Sequence, residues 1–400
     1  MALLFLHHVV GDLTVGKPDL TEFPDSGTLA AAAAAIADSS EGAVAVWRTS
    51  PGPAQPAAGR FVGLLSSLDV VAFLARAGED HERAMGTPVA EVLVENPGLL
   101  KEVDPGTRMI DALEMMKQGV RRFLVRKSSA WKGISKRFSI LYNGKWLKNI
   151  ETSSRDTTGN SYLSSSALPA DKFCCLSRED VVRFLIGFLG ALAPVPLSSI
   201  SSLGAIDLHY SHVTASSPAL EAFQNIPQDP CAVAVVETNP DGTRKIIGDI
   251  SAYKLWKCDY LAAAWAMANL SAGQFVIGAD ENSTTPTSFT DFSISSPVGE
   301  TGRGASPRSS KFSSRRIGFF NNHTNQMEFG RLRSMYRGRS APLTCKHTTS
   351  LAAVMAQMLS HRATHVWVTD AESDDGILIG VVGYNEILKA VTKNVTPQAS

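Results

Sequence analysis

One hydrophobic pattern returns four times along this chain. A short apolar run, broken by a glycine or another small residue, meets a polar step and enters an apolar stretch of helical period. The first copy is Phe61-Val62-Gly63-Leu64-Leu65-Ser66-Ser67-Leu68-Asp69-Val70-Val71. The second is Phe173-Cys174-Cys175-Leu176-Ser177-Arg178-Glu179-Asp180-Val181-Val182. The third is Ile246-Ile247-Gly248-Asp249-Ile250-Ser251-Ala252-Tyr253-Lys254-Leu255, and the fourth is Leu378-Ile379-Gly380-Val381-Val382-Gly383-Tyr384-Asn385-Glu386-Ile387-Leu388. The apolar run reads as a buried strand, and a serine with an acid three residues later reads as a helix start. A helix and a strand are predicted ahead of each copy. Leu29–Ile36 leads into Ala43–Trp47, and Met109–Lys117, with Thr107 as cap, leads into Arg121–Val125. Pro218 opens a helix over Leu220–Phe223 before Ala232–Val236, and Thr349 or Ser350 caps Leu351–Leu359 before His365–Thr369. The predicted unit is helix–strand–strand–helix.

Two stretches break the pattern. Residues 128–172 are polar, and residues 279–340 are rich in Ser, Thr, Gly and Arg. Both read as loops or disorder, because they hold too little apolar area to offset the entropy of ordering. This divides the chain into repeat one (1–80), repeat two (81–195, with the insertion at about 128–172), repeat three (196–278), a Ser/Arg-rich linker (279–340) and repeat four (341–400). Phe184–Leu197 and Tyr260–Gly278 are apolar enough to test as membrane spans. The first is short and holds Pro194 and Pro196, and the second is diluted by alanines and broken by Asn269, Ser271 and Gln274. Both read as buried amphipathic helices, so no membrane partner is expected.

Charge and cysteines narrow the setting. Of 400 residues, 38 are Lys or Arg and 38 are Asp or Glu, which excludes a generally basic surface and with it nucleic acid as the expected partner. The five cysteines form no Cys-x-x-Cys, so they read as free thiols in a reducing compartment, cytoplasmic or nuclear, rather than as disulfides or a zinc site. No charged lead precedes the short apolar stretch Ala2–Leu6, so no signal peptide is expected.

The strings Phe61-Val62-Gly63-Leu64-Leu65-Ser66-Ser67-Leu68-Asp69, Gly119-Val120-Arg121-Arg122-Phe123-Leu124-Val125 and Ile379-Gly380-Val381-Val382 resemble the strand signatures of the CBS domain. Four repeats without a catalytic domain resemble the γ regulatory subunits of AMP-activated and SNF1-type kinases. The long Ser-rich insert and the Ser-Met-Tyr-Arg-Gly-Arg-Ser-Ala-Pro stretch are similar to the plant CBS-domain-only (CBSX) group. The resemblance implies an α/β (α+β) fold of four CBS repeats, each a small β-sheet with two helices, paired into two Bateman modules. Pairing also follows from burial, since the bare Val- and Ile-rich sheet face of one unit is stabilised by about 25 cal/mol per Å² on removal from water.

In this family adenosine nucleotides bind between paired sheets, and the Ser/Thr-x-x-Asp of the last helix contacts the ribose. The resemblance therefore implies ribose sites at Ser66 with Asp69 and at Ser177 with Asp180. A carboxylate in the first helical turn is favoured by the dipole and can accept from both ribose hydroxyls. Repeat three departs by placing Lys254 at the acid's position, and repeat four by placing Gly383 for the serine and the longer Glu386 for the aspartate. The N-terminal pair is the expected ligand site, with Glu386 a weaker candidate. Arg121 and Arg122 are candidate phosphate cations, one toward the cleft and one toward solvent, and Arg362 and His365 stand in comparable places in repeat four. The same serines and acids also suit plain helix caps, and the arginines a solvated basic edge.

Enzymatic motifs fail. Ser139 stands where a P-loop ending at Gly144-Lys145 needs its first glycine, and no Gly-x-Ser-x-Gly elbow occurs. His361 and His365 straddle a helix–strand break, so no metal site is expected. Between Arg303 and Arg339 the linker carries nine basic residues and one acid, Glu328. Arg337-x-x-Ser340-x-Pro342 and Arg331-x-x-Ser334 there suit basophilic kinases, making Ser334 and Ser340 phosphorylation candidates, although a purely solvating loop fits as well. The expectation is a non-enzymatic energy sensor that needs no cofactor and takes AMP, ADP or ATP as regulatory ligand. Its partners would be SNF1-type kinase subunits, another regulated enzyme or a second copy of itself. The alternatives are a scaffold with no ligand and a true γ-type subunit.

Overall fold

The computed structural model describes residues 2–39, 42–49, 60–78, 80–127, 140–142, 145–147, 173–224, 226–278, 341–372 and 376–393. Its strands are β1 (Phe23–Pro24), β2 (Ala43–Trp47), β3 (Phe61–Ser66), β4 (Leu100–Val103), β5 (Arg122–Arg126), β6 (Ile140–Tyr142), β7 (Lys145–Leu147) and β8 (Phe173–Ser177). They continue as β9 (His212–Thr214), β10 (Ala232–Thr238), β11 (Arg244–Ser251), β12 (Thr344–Lys346), β13 (His365–Thr369) and β14 (Leu378–Gly383). Four three-stranded sheets result, β1-β2-β3, β4-β5-β8, β9-β10-β11 and β12-β13-β14. In each, a short edge strand runs parallel to the central strand and the last strand runs antiparallel to it.

The edge strand is an addition to the predicted unit. At two to four residues these strands are too short to show an apolar alternation, so pairing places them. The helices Leu29–Asp38, Met109–Lys117 and Leu351–His361 lie where predicted. Ser350 caps the last of these, whereas Arg108 takes the cap position predicted for Thr107. Within the polar insertion, β6 and β7 pair antiparallel, an element that the loop reading passed over. Tyr260–Gly278 is two helices, Tyr260–Asn269 and Ala272–Ile277, restarted by the Ser271 cap. Among the described residues no helix is long and apolar enough to cross a membrane.

Every unit has two apolar faces, and each finds a different partner. Sheet packs on sheet within the sequential pairs. Ala45, Trp47 and Phe61 of repeat one meet Leu100 and Leu124 of repeat two, and Ala232, Ala234, Val236 and Ile246 of repeat three meet Trp367, Leu378 and Val381 of repeat four. Helix packs on helix across the pairs. Leu68, Val71 and Leu74 share a core with Ala263 and Met267, joining repeats one and three. Leu113, Met116 and Leu185 share another with Met355, Met358 and Leu388, joining repeats two and four. The alanines of Tyr260–Asn269 have no bulk to hold the neighbouring helix away. The two modules thereby close into a ring ordered one, two, four, three.

Exchanged lead segments lock each pair. The lead of repeat two crosses repeat one, where the Asn96 amide donates to the Val62 carbonyl (2.9 Å). The lead of repeat one crosses repeat two, where the Leu20 amide donates to the Phe173 carbonyl (2.8 Å). The lead of repeat three runs along β14, with the Asp207 and Val381 amides donating to each other's carbonyls (2.8 and 2.9 Å). Gly380 permits this approach, since a Cβ there would lie 2.5 Å from the Asp207 carbonyl oxygen.

Candidate functional site

Strand register aligns the repeats. The first residue of each central strand pairs with the residue preceding the last helix: Ala43 with Ser66, Arg122 with Ser177, Ala232 with Ser251 and His365 with Gly383. Three residues on come Asp69, Asp180, Lys254 and Glu386. His365 thus occupies the place of Arg122. Arg362 lies elsewhere, with its guanidinium 5.5 Å from the centroid of the Trp256 ring.

Asp69 is half-buried at the start of helix Ser67–Ala77. The Ser66 amide (2.8 Å) and hydroxyl (2.6 Å) both donate to its Oδ2, leaving Oδ1 without a hydrogen bond to a described residue. Burial raises the carboxyl above its ordinary range, against the bonds from Ser66 and the charge of Arg121. Arg121 of repeat two is anchored through its amide to the Leu99 carbonyl (2.8 Å), while its guanidinium makes no hydrogen bond or ion pair with a described residue. Among the described residues, a carboxylate with a spare oxygen thus lies within electrostatic reach of an unpaired cation where repeats one and two join. Arg122 points differently, its Nη1 lying 3.9 Å from Cys175 Sγ.

A loop of repeat three closes this corner. Asp229 pairs with Arg178 at the start of the last helix of repeat two. Pro230 lies against Gly383 of repeat four, 3.7 Å from where a Cβ would stand. Cys231 lies within electrostatic reach of Asp69 and Arg121, and burial first, then Asp69, pushes its thiol up to about 12. Asp229 and Pro230 thus touch repeats two and four, and Cys231 feels repeat one at electrostatic range. Arg178, 5% exposed, also donates to the Met116 carbonyl (2.8 Å).

Asp180 has the same capping box as Asp69. The Ser177 amide (2.8 Å) and hydroxyl (3.2 Å) donate to Oδ2. Unlike Asp69, it has Arg183 Nη1 3.9 Å from Oδ1 and Lys17 Nζ 2.6 Å from Oδ2, with the Lys17 and Asp180 side chains both at or below 10% exposure. The lead of repeat one brings Lys17 in.

The C-terminal pair also fills its sites with its own side chains. Lys254 Nζ lies 3.7 Å from Asp249 Oδ1 and donates to the Ala341 carbonyl (2.6 Å). Asp249 Oδ2 accepts from the Ser251 hydroxyl (2.8 Å), with His365 Nε2 3.6 Å away. Burial works to raise the Asp249 carboxyl, but His365, Lys254 and Ser251 together hold it below the ordinary carboxylate range. Register puts Asp249 where repeat one has Leu64 and repeat two Cys175. The two departures of repeat three, a cation for an acid and an acid for an apolar residue, therefore answer each other. In repeat four Glu386 Oε2 accepts from the Gly383 amide (3.1 Å) and Oε1 lies 3.6 Å from Lys389 Nζ.

The structure thus brings Ser66 and Asp69 within electrostatic reach of Arg121, holds Ser177 and Asp180 with Lys17, keeps Glu386 on its own cap beside Lys389, and turns Arg122 toward Cys175. Lys17 and the Asp229–Cys231 loop were missed because nothing local marks a lead segment that crosses to another repeat. Asp249 carried a signal, an acid inside the apolar run of β11 with a lysine five residues on. Ser334 and Ser340 lie outside the described residues.

The CBS domain family matches residues 338–393. The chain is 58% identical over 98% of its length, and 95% of the relative's, to the CBS domain-containing protein CBSX6 of Arabidopsis thaliana. It is 27% identical over 98% of both chains to CBSX5 of the same plant. It is 25% identical, over 67% of this chain and 75% of the relative's, to the Arabidopsis SNF1-related protein kinase regulatory subunit gamma-like PV42b. A solved structure from Methanocaldococcus jannaschii, of a protein proposed as an archaeal homologue of the AMPK γ subunit, shares the fold with a TM-score of 0.50 at 13% identity, over 95% of this chain and 99% of that one.

Proposed function

The chain belongs to the family of CBS domain-containing proteins, and on that premise we propose a non-enzymatic regulatory protein that takes one adenosine nucleotide (AMP, ADP or ATP) at Asp69. The observation that supports this is an Asp69 oxygen and, within electrostatic reach of it, an Arg121 guanidinium, neither of which makes a hydrogen bond or ion pair with a described residue. Asp69 accepts the ribose hydroxyls and Arg121 meets the phosphates. The other three acid positions are either answered by lysines or replaced by one: Asp180 by Lys17, Glu386 by Lys389, and Lys254 itself facing Asp249. The bound nucleotide alters a partner by binding one arrangement of the ring better than another. The kinase-subunit name of one relative points to a SNF1-type catalytic subunit as that partner, and co-purification tests it.

Calorimetry with AMP, ADP and ATP on the full chain checks the site. One nucleotide per chain is expected, weakened at least about tenfold in Asp69→Ala, since a charge-assisted bond is worth about 1.5–3 kcal/mol. Affinity should fall as pH drops through the raised Asp69 pKa, because the protonated carboxyl loses its strongest acceptor. Folded protein that gives no heat at millimolar nucleotide overturns the sensor reading and leaves a scaffold.

A further inference from the structure

Asp69 and Asp180 share one kind of cap, although Asp180 also has Arg183 Nη1 3.9 Å from its Oδ1. Each stands three residues after a serine, closes a capping box, and takes the serine amide and hydroxyl on Oδ2. They differ in what crosses over them. Three residues before its crossing bond, the lead of repeat one presents Lys17, and three residues before its own, the lead of repeat two presents Leu93. Leu93 packs beside Gly63, its Cδ2 3.2 Å from where a Cβ would stand, and brings no charge to Asp69.

Lys17 sits in a segment built to aim it. On one side, the Val10 and Gly11 amides donate to the Thr107 and Pro105 carbonyls (both 2.8 Å), and Phe5 is buried in the core shared by repeats two and four. On the other, the Leu20 amide is tied to Phe173. Between these anchors Val15, Gly16, Pro18 and Asp19 are exposed, and Lys17 alone turns inward to 10% exposure. Gly16, at φ +77°, makes the turn, which an L side chain would resist. Lys127 clamps the span by donating to the Lys17 carbonyl (2.6 Å) and to Asp19 (2.7 Å).

We propose that the N-terminal strap is an intramolecular plug: Lys17 occupies the Asp180 carboxylate and masks a second nucleotide site in repeat two. The proposal rests on the reading of Asp69 as a nucleotide site, because the twin geometry carries the ligand class across. The ammonium sits on the Oδ2 that Ser177 also holds and neutralises the carboxylate that ribose hydroxyls would otherwise bind. Because the strap is anchored at both ends and Val15, Gly16, Pro18 and Asp19 are exposed between them, residues 15–19 can lift without unfolding the core.

The test is stoichiometry. Calorimetry with AMP and ATP is run on the full chain, on Lys17→Ala and on Lys17→Met, which keeps the apolar stem, with thermal unfolding as the control for folding. The expected result is one nucleotide per wild-type chain and two per Lys17 variant, with the extra site lost in Lys17→Met/Asp180→Ala and kept in Lys17→Met/Asp69→Ala. Folded Lys17 variants that still bind one nucleotide, lost on Asp69→Ala, overturn the plug and leave the Asp69 reading standing. A wild type that binds none while Lys17→Met binds one, lost on Asp180→Ala, upholds the plug and overturns the Asp69 reading. No binding by any folded variant overturns both.

Discussion

At the scale of the residue, burial decides which charges are available and which are spent. Asp249 and Lys254 are almost wholly enclosed and answer each other, so together they act as structure. Lys254→Met strands a buried carboxylate, and urea unfolding should show a loss of about 3–5 kcal/mol. Adding Asp249→Leu restores the residue type that repeat one has at that place and should recover most of the loss, since an apolar pair of similar volume often replaces a buried ion pair without cost. A double variant as unstable as the single would disprove this account. The lowered folded pKa of Asp249 means that its contribution is present above its ordinary value of 3.8 and is lost as pH falls through the folded value. Acid should therefore loosen the contact between repeats three and four. Asp69 is the opposite case, a carboxylate raised by burial whose remaining oxygen has no hydrogen bond to a described residue, the condition expected of a site rather than of a strut.

At the scale of the element, the unit is held by crossings as much as by its own sheet. A glycine recurs at one register position, Gly63, Gly248 and Gly380, each opposite a valine of the central strand, while repeat two has Cys174 there. At Gly380 the requirement is steric. An added Cβ would meet the Asp207 carbonyl oxygen at 2.5 Å and Ile206 Cγ2 at 2.6 Å, so Gly380→Ala should push the lead of repeat three off β14. The expected loss is about 1–3 kcal/mol, read by urea unfolding, with faster amide exchange at Asp207 and Val381. Unchanged exchange at those two amides would show that the crossing does not depend on the glycine.

At the scale of the molecule, the sheet faces make the pairs and the helix faces make the ring. The helix-side cores join repeat one to three and two to four, so each module alone would expose half of two cores. Residues 1–195 and 196–400 expressed separately should aggregate or stay unfolded, and co-expression should yield a soluble complex. Two separately soluble, cooperatively folded halves would disprove that dependence. The Asp229–Cys231 loop touches repeats two and four and lies within electrostatic reach of Asp69, which gives a ligand there a route to both modules.

What the sequence by itself determined is whatever repeats locally. The four strand–helix joints, the caps at Ser66, Ser177 and Ser350, the strands Ala43–Trp47 and His365–Thr369 and the pairing of sheets follow from apolar period and capping chemistry, which act over a few residues. The sequence also placed Asp69 and Asp180 on equal terms. Only the tertiary structure separated them, by carrying Lys17 across from another repeat to one and leaving the other open beside Arg121. Closure of the ring and the role of Lys254 were decided there too. Each depends on which charge or apolar face arrives from far along the chain, and a buried group takes its state from those neighbours rather than from its own segment.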